Sequence, residues 1–203
     1  GINEAPELTG IKKELQDGNE DEIYTFAASD LLEGFSDRDG DTLSVVDVQA
    51  NNGTLTNNED GTYSFAPALN FNGVVSINYY VDDNNGIKIF STNEFTLNAV
   101  NDAPERSEEI NNLKPGREDN SYILTSTQLL RSFSDVDGDQ LDVVSVDATN
   151  ASVEDIGGGD WEITPNENFF GTIDLSFRVS DGSVSVDGIN SIEIESVNDT
   201  PEA

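Results

Sequence analysis

The amino-acid sequence predicts an all-β protein built from two tandem antiparallel Greek-key sandwiches of seven strands each. Three observations lead to this prediction. The chain repeats itself after 98 residues, apolar and polar residues alternate along its longest apolar segments, and turn residues separate those segments at about ten-residue spacing. A length of 203 residues accommodates either one domain or two domains of about 100 residues. The repeat favours two.

The internal repeat covers nearly the whole chain. Phe35-Ser-Asp-Arg-Asp-Gly-Asp41 recurs as Phe133-Ser-Asp-Val-Asp-Gly-Asp139, and Asn3-Glu-Ala-Pro6 recurs as Asn101-Asp-Ala-Pro104. Because chance does not keep such a register over a whole chain, we predict two copies of one domain. We also expect the sequence to be a segment of a longer protein. The predicted domains are residues 1–100 and 101–203, with linkers at 3–6, 101–104 and 198–201.

Strands follow from the alternation of apolar and polar residues. Val75, Ile77, Tyr79 and Val81 alternate with more polar neighbours, and the apolar set is kept in the second copy while the polar set changes. Period two indicates one buried face and one exposed face. Leu31-Leu32 is predicted to lie in a short helical turn. Tyr63 and Trp161 are predicted to pack in the core or at its rim. The other predicted strands are Glu7–Leu15, Glu22–Ala27, Thr42–Gln49, Gly53–Thr56, Thr62–Phe65 and Lys88–Val100.

Composition excludes several classes of function. The chain has 41 acidic and 9 basic residues, a formal net charge of −32, and no Cys, His or Met. Such a charge disfavours nucleic acid and anionic membranes as partners, and it favours cations. Thiolate and imidazole metal sites are excluded, as are Ser-His-Asp and Cys-His catalysis. Paired carboxylates can hydrolyse glycosides, but nothing marks a pair as lying in a cleft, so we do not expect an enzyme.

The repeated acidic loop is the strongest candidate for a metal site. Three carboxylates surround one glycine in each copy, and like charges this close repel each other unless a cation lies between them. Calcium prefers such oxygen ligands. The loop is not an EF-hand, because Gly40 and Gly138 are fourth rather than sixth and no Glu stands at the twelfth position. An exposed polar turn is the alternative, but a turn does not need three carboxylates.

Other acidic and amide residues recur at the same offset and complete the candidate set. In a sandwich, the end of the long strand, the acidic loop and the incoming linker are expected to share one pole. Glu20, at the far end of the preceding copy, is expected to face that pole of the second copy. The predicted calcium ligands are Glu20, Asn101, Asp102, Asp135, Asp137, Asp139 and Asp181, together with Asn3, Asp37, Asp39, Asp41, Asp83 and Glu118.

These motifs resemble a known family. Val100-Asn-Asp-Ala-Pro104, the acidic loop of the second copy, Asn168-Phe-Phe-Gly171 and Val179-Ser-Asp-Gly182 are similar to the cadherin-like tandem repeats of large bacterial surface adhesins and RTX-type secreted proteins. The resemblance implies Ig-like, calcium-bound sandwiches that calcium stiffens at each junction.

The resemblance also implies roles for individual residues. Asn101 and Asp102 resemble the linker ligands, Asp135 and Asp137 the Asp-x-Asp pair, Asp181 the acid at the later strand end, and Glu20 the glutamate of the preceding domain. Two departures imply fewer calcium ions per junction than in animal cadherins. Ala99 and Ser196 stand where those proteins carry an Asp, and the Leu-Asp-Arg-Glu motif is missing. Asp139 is a candidate for a site inside the domain.

The expected function is that of a calcium-rigidified, extracellular module of a bacterial adhesin that serves adhesion or extension. The alternative is a polysaccharide-binding module, for which Tyr80, Phe90 and Trp161 are the candidate aromatic residues, although they do not repeat as a platform. Self-association between arrays is a third hypothesis. The expected partners are calcium, neighbouring repeats, and surface polysaccharide or other cells. The segment itself is expected to be a monomer.

Overall fold

The chain forms two compact units that divide between Val100 and Asn101, which we call repeat 1 and repeat 2. The computed structural model describes residues 2–108 and 111–198. No helix in this described part of the chain is long and apolar enough to cross a membrane.

Repeat 1 contains two main sheets that face each other. The four-stranded sheet has the order β2-β9-β8-β5, the three-stranded sheet has the order β3-β7-β6, and β1 pairs separately with β4. Because β5 pairs with β8 rather than with its chain neighbour β6, the chain crosses between sheets as a Greek key does. The elements are β1 (Glu7–Leu8), β2 (Gly18–Asn19), β3 (Tyr24–Ala27), α1 (Ala28–Leu32), β4 (Phe35–Ser36), β5 (Ser44–Ala50), β6 (Gly53–Asn57), β7 (Thr62–Pro67), β8 (Gly73–Asp82) and β9 (Lys88–Asn98).

Repeat 2 has the same sheets in the same order, so the predicted fold class of two tandem β-sandwiches is confirmed. A single turn of 3-10 helix, Leu130–Ser132, follows its short α-helix. The elements are β10 (Glu105–Arg106), β11 (Gly116–Arg117), β12 (Tyr122–Thr125), α2 (Ser126–Leu129), β13 (Phe133–Ser134), β14 (Asp142–Ala148), β15 (Ala151–Gly157), β16 (Asp160–Pro165), β17 (Gly171–Ser180) and β18 (Ser185–Glu195).

The first predicted strand, Glu7–Leu15, is wrong. It is replaced by two short strands: β1 pairs antiparallel with β4, and β2 pairs in parallel with β9. The backbone N–H groups of Thr9 and Gly10 both donate to the carbonyl of Gly34, at 2.9 and 2.8 Å, which ends the first pairing. The two main sheets of each repeat together contain seven strands, and the short pair formed by the first and fourth strands of the repeat is additional. The other predicted strands agree with the structure to within two residues at each end.

The core of each repeat lies between its two sheets. Val75, Ile77, Tyr79 and Val81 are fully buried, as the alternation predicts, and their counterparts in β17 are buried too. Tyr63 and Trp161 are core residues, which confirms that prediction. Leu31 is buried as well, in the predicted short helical turn.

One buried hydrogen bond distinguishes the two cores. The Tyr79 hydroxyl donates to the carbonyl of Leu31 at 3.0 Å, whereas Phe177 occupies the corresponding place in repeat 2 and has no hydroxyl. Burial raises the pKa of the Tyr79 hydroxyl, so the group stays protonated and able to donate.

We therefore expect Tyr79→Phe to destabilise repeat 1 by about 1 kcal/mol, because the change removes a buried hydrogen bond and leaves its space unfilled. Circular dichroism during urea unfolding would measure the loss. Trp161, the only tryptophan, reports on repeat 2 by fluorescence, and we expect its transition to be unchanged. Tyr80→Phe on the outer face of the same strand is the control. An equal cost for both substitutions would contradict the assignment.

Candidate metal centres

The first aspartate of each acidic loop folds that loop through its own carboxylate. In repeat 1, Asp37 Oδ1 accepts hydrogen bonds from the backbone N–H groups of Asp39 and Asp41, at 2.8 and 3.4 Å. Asp135 Oδ1 in repeat 2 accepts the corresponding bonds at 2.9 and 3.2 Å. Such side-chain-to-backbone bonds define an Asx turn. The loop therefore curls around the carboxylate with which it begins.

The glycine of each loop has a left-handed backbone. Its φ is +83° at Gly40 and +79° at Gly138, a region that residues with a Cβ atom rarely adopt. No heavy atom lies within 4 Å of a Cβ placed at either position. Backbone conformation, rather than lack of space, therefore favours glycine at the fourth position of the motif.

The linker residues bind to the same pole of each repeat. The Asn3 side-chain amide donates to Asp83 Oδ2 at 2.7 Å, and Glu4 N donates to Asp39 Oδ2 at 2.7 Å. Repeat 2 has the same pair of bonds at 3.0 and 2.8 Å, from Asn101 to Asp181 and from Asp102 N to Asp137. In each repeat the structure thus brings together the linker, the acidic loop and the acid that follows the long strand.

Asp83 is buried because of the strand that precedes it. It continues the odd-numbered series of Val75, Ile77, Tyr79 and Val81, so it lies on the core side with only 1% of its surface exposed. Asp181 ends the corresponding series in repeat 2 and is 9% exposed. The alternation that forms the core of each repeat therefore also places one carboxylate at the end of that core.

Hydrogen bonds satisfy these two buried carboxylates. Asp83 Oδ1 accepts from the backbone N–H groups of Asn85 and Ile87, at 2.8 and 3.0 Å. Burial acts to raise the pKa of Asp83, but these bonds and the Asn3 amide outweigh it, so the pKa is lowered. Hydrogen bonds, first that from Val184 N, likewise lower the pKa of Asp181. Both groups are negatively charged at neutral pH.

One carboxylate oxygen in each loop has no hydrogen-bond partner. Asp37 Oδ2 and Asp135 Oδ2 are buried, and no group among the described residues donates to either atom. A buried, charged oxygen without a partner is costly, and a cation would remove that cost.

The surrounding donors suit calcium. Oxygen atoms of Asp37, Asp41 and Asp83 lie within 4.8 Å of one another in repeat 1. In repeat 2 the same limit holds for the three acids of the loop, Asp135, Asp137 and Asp139. Carboxylate and amide oxygens are the ligands that hard cations such as calcium prefer. The residues at each pole therefore fit the predicted ion, and Asn3 and Asn101 each offer a further amide oxygen.

The two predicted glutamates lie at the opposite pole of their own repeats. Glu20 is 1% exposed, and its Oε1 accepts from Val100 N at 2.9 Å. Glu118 accepts from Val197 N in the same way. The ten paired residues of the β8–β9 hairpin separate Glu20 from Asp83, a span of roughly 30 Å. Within one repeat, Glu20 therefore cannot share a cation with the acidic loop.

One residue of the first pole, Glu4, was not among the predicted ligands. Glu4 occupies the place of Asp102, 98 residues earlier, and its backbone binds Asp39 as that of Asp102 binds Asp137. The offset that identified Asn3 could also have identified Glu4. The signal was overlooked because the residue type differs between the copies.

The loop glycine gives a test of this geometry. We expect Gly138→Ala to destabilise repeat 2 by about 1 kcal/mol, because alanine disfavours positive φ. Gly138→Asn should cost distinctly less, since asparagine tolerates this region, and Gly138→Val should cost more. Trp161 fluorescence during urea unfolding in calcium measures all three. Equal costs for Asn and Val would contradict the conformational explanation.

A family model of the cadherin-like domain matches residues 2–98 and again residues 100–195. Form II of human protocadherin-24 EC1-2 aligns with a TM-score of 0.54 at 13% identity, covering 98% of this chain and 100% of that chain. Another structure of human protocadherin-24 EC1-2 gives 0.50 at 14% identity, with 97% and 100% covered. At these identities the likeness shows the fold.

A lower TM-score, 0.39, relates the chain to an endo-fucoidan hydrolase from glycoside hydrolase family 107 at 21% identity. That alignment covers 96% of this chain and 29% of the hydrolase, so the chain spans under a third of the hydrolase's length. No curated protein matches the chain. The family model accounts for both halves of the sequence, with a separate match in each. The chain therefore belongs to the cadherin-like domain family and contains two of its domains.

Proposed function

We propose that the chain is a calcium-binding module of a secreted or surface-attached bacterial adhesin, in which calcium stiffens a row of tandem domains. The observation that carries the proposal is the buried, unpartnered carboxylate oxygen of Asp37 and Asp135. A solvated acidic turn would expose these atoms to water. Instead, each repeat buries this oxygen in a loop that the same two backbone hydrogen bonds close, among other oxygen donors.

Calcium would act by stabilising the folded state. Five carboxylates lie at the linker pole of each repeat, and the whole chain carries a net charge of −32, so repulsion opposes the compact form. A doubly charged cation offsets that repulsion only where folding has gathered the ligands. Binding to the folded state but not to the unfolded state shifts the equilibrium by mass action.

Calcium bound at the linker would restrict the motion of the segment that connects the two repeats. Asn101 and Asp102 follow directly on Val100, the last residue of repeat 1, and in repeat 2 they bond to Asp181 and Asp137. A calcium ion held by these residues would fix the connecting segment to repeat 2.

We propose an extracellular, monomeric segment whose partners are calcium and neighbouring repeats of the same protein. Extracellular calcium modules bind at about 10⁻⁴–10⁻³ M, concentrations at which such sites fill outside the cell and empty inside it. The proposal assigns the chain a structural and adhesive role and no catalytic activity.

Thermal unfolding in calcium tests the proposal. We expect 10 mM calcium to stabilise the chain over excess chelator by roughly 1–3 kcal/mol, and magnesium at the same concentration to do far less. Asp135→Asn should abolish the calcium response of repeat 2, measured by Trp161 fluorescence. The control is Glu154→Gln, which makes the same charge change on the exposed strand β15. Identical melting in calcium and in chelator would overturn the proposal.

A second candidate function is polysaccharide binding, and one surface favours it. Phe90 is 58% exposed on the outer face of β9 and packs edge-on against Tyr80 of β8, with ring centroids 5.5 Å apart. The ammonium of Lys88 lies 4.7 Å from the centre of the Tyr80 ring. Trp161, the third aromatic candidate, is buried in the core and does not contribute. An exposed aromatic face beside polar groups suits the apolar face of a sugar ring.

Gel electrophoresis through soluble β-glucan, xylan or starch tests this second function. We expect at least one of these neutral glycans to retard the chain. Phe90→Ser should weaken the affinity for that glycan about tenfold, because the substitution removes one buried aromatic contact. Phe170→Ser is the matched control, because Phe170 is similarly exposed in repeat 2. If no glycan retards the wild-type chain, or if both substitutions act alike, the aromatic face is not a sugar-binding site.

A further inference from the structure

Within the linker (residues 3–6 and 101–104) and the acidic loop (residues 35–41 and 133–139), the two candidate calcium poles differ at only two positions. Each pole has one asparagine, three loop aspartates, one buried aspartate after the long strand, and one acidic linker residue. Glu4 in repeat 1 replaces Asp102 of repeat 2, and Arg38 replaces Val136. An arginine inside a loop of three aspartates is unexpected on a chain that has only nine basic residues.

These two differing residues contact each other in repeat 1. Arg38 Nη1 lies 3.3 Å from Glu4 Oε2, so the cation of the loop pairs with the acid of the linker. The Arg38 side chain is 75% exposed and forms a single contact rather than a bidentate pair. Such a surface ion pair contributes little stability by itself. Val136, at the same place in repeat 2, has no charge.

The backbone does not explain a difference between the poles. Glu4 N donates to Asp39 at 2.7 Å and Asp102 N donates to Asp137 at 2.8 Å, and both loops turn on the same Asx bonds. Both loop glycines have nearly the same φ. Within the linker and the loop, the difference that remains is therefore the positive charge of Arg38 and the acid with which it pairs.

We propose that Arg38 is a built-in counter-cation that weakens calcium binding at the pole of repeat 1, so that the pole of repeat 2 fills first as calcium rises. This inference rests on the proposed function. Five carboxylates attract the ion at each pole, but in repeat 1 one positive charge offsets part of that attraction and occupies Glu4. Calcium must displace Arg38 from Glu4 or bind without that ligand.

The size of the effect follows from the exposure of Arg38. A solvated charge acts across a high dielectric and is screened by salt within about 8 Å at physiological ionic strength. We therefore expect a difference of about threefold to tenfold in calcium affinity, rather than the loss of a site. The difference should shrink as salt is raised, because screening weakens Arg38 as well as the acids that it opposes.

Nuclear magnetic resonance of the intact chain can follow the two poles separately. The backbone amides of Gly40 and Gly138 lie inside the two loops, so each reports calcium at its own repeat. In the wild-type chain, we expect the Gly138 signal to respond at about threefold to tenfold lower calcium than the Gly40 signal. Arg38→Val should lower the Gly40 midpoint by that factor and leave the Gly138 midpoint unchanged.

The reciprocal substitution is the matched control. Val136→Arg should raise the Gly138 midpoint by a similar factor, and Arg38→Lys, which keeps the charge, should behave as the wild type does. In 0.5 M KCl the effect of Arg38→Val should shrink.

Two results would overturn the inference while calcium binding stands: equal midpoints in the wild-type chain, or no change with Arg38→Val. If neither glycine amide responds to calcium at all, the proposed function fails, and the inference fails with it.

Discussion

The pair of hydrogen bonds at the first aspartate of each acidic loop is the constraint on which the candidate centres depend. Asp37 Oδ1 and Asp135 Oδ1 each hold the two backbone N–H groups that close the loop. One oxygen of each carboxylate is thereby used, and the other is turned inward with no donor among the described residues. The loop glycine permits this turn because it tolerates positive φ. Local folding thus creates an oxygen site at the linker pole of each repeat.

The sandwich supplies the rest of the pole through its longest strand. β8 and β17 alternate strictly, and the residue that follows each in the core-facing series is an aspartate. That aspartate meets the linker asparagine, which ties the segment entering the repeat to the end of a core strand. A shift of one residue in the register would turn the carboxylate to the outer face. The stability of the core and the geometry of the pole are therefore set by the same alternation.

Much of this could be predicted from the sequence, because a repeat with a fixed offset acts as an internal comparison. Comparison of the two copies distinguished the buried residues of β8, which are apolar in both, from their variable neighbours. It also identified the acidic residues that recur in both copies. The split first strand could not be predicted, since it depends on the carbonyl of Gly34, which a distant part of the chain positions. Glu4 was missed because its residue type changes between copies. The unpartnered oxygens could not be predicted either, because the sequence does not show which oxygen of a carboxylate accepts a hydrogen bond from a backbone N–H.

The charge of the poles supports the proposal that they bind a cation. A turn of the same shape needs one aspartate for the Asx bonds and one glycine, so the negative charges of the other acids add repulsion to the isolated fold. Uncharged amides could make most of the remaining hydrogen bonds at lower electrostatic cost. Both copies nevertheless keep all five carboxylates. Where one copy reduces the negative charge, it does so by adding Arg38 rather than by losing an acid. Each pole thus keeps its full set of candidate oxygen ligands, while its net charge differs between the repeats.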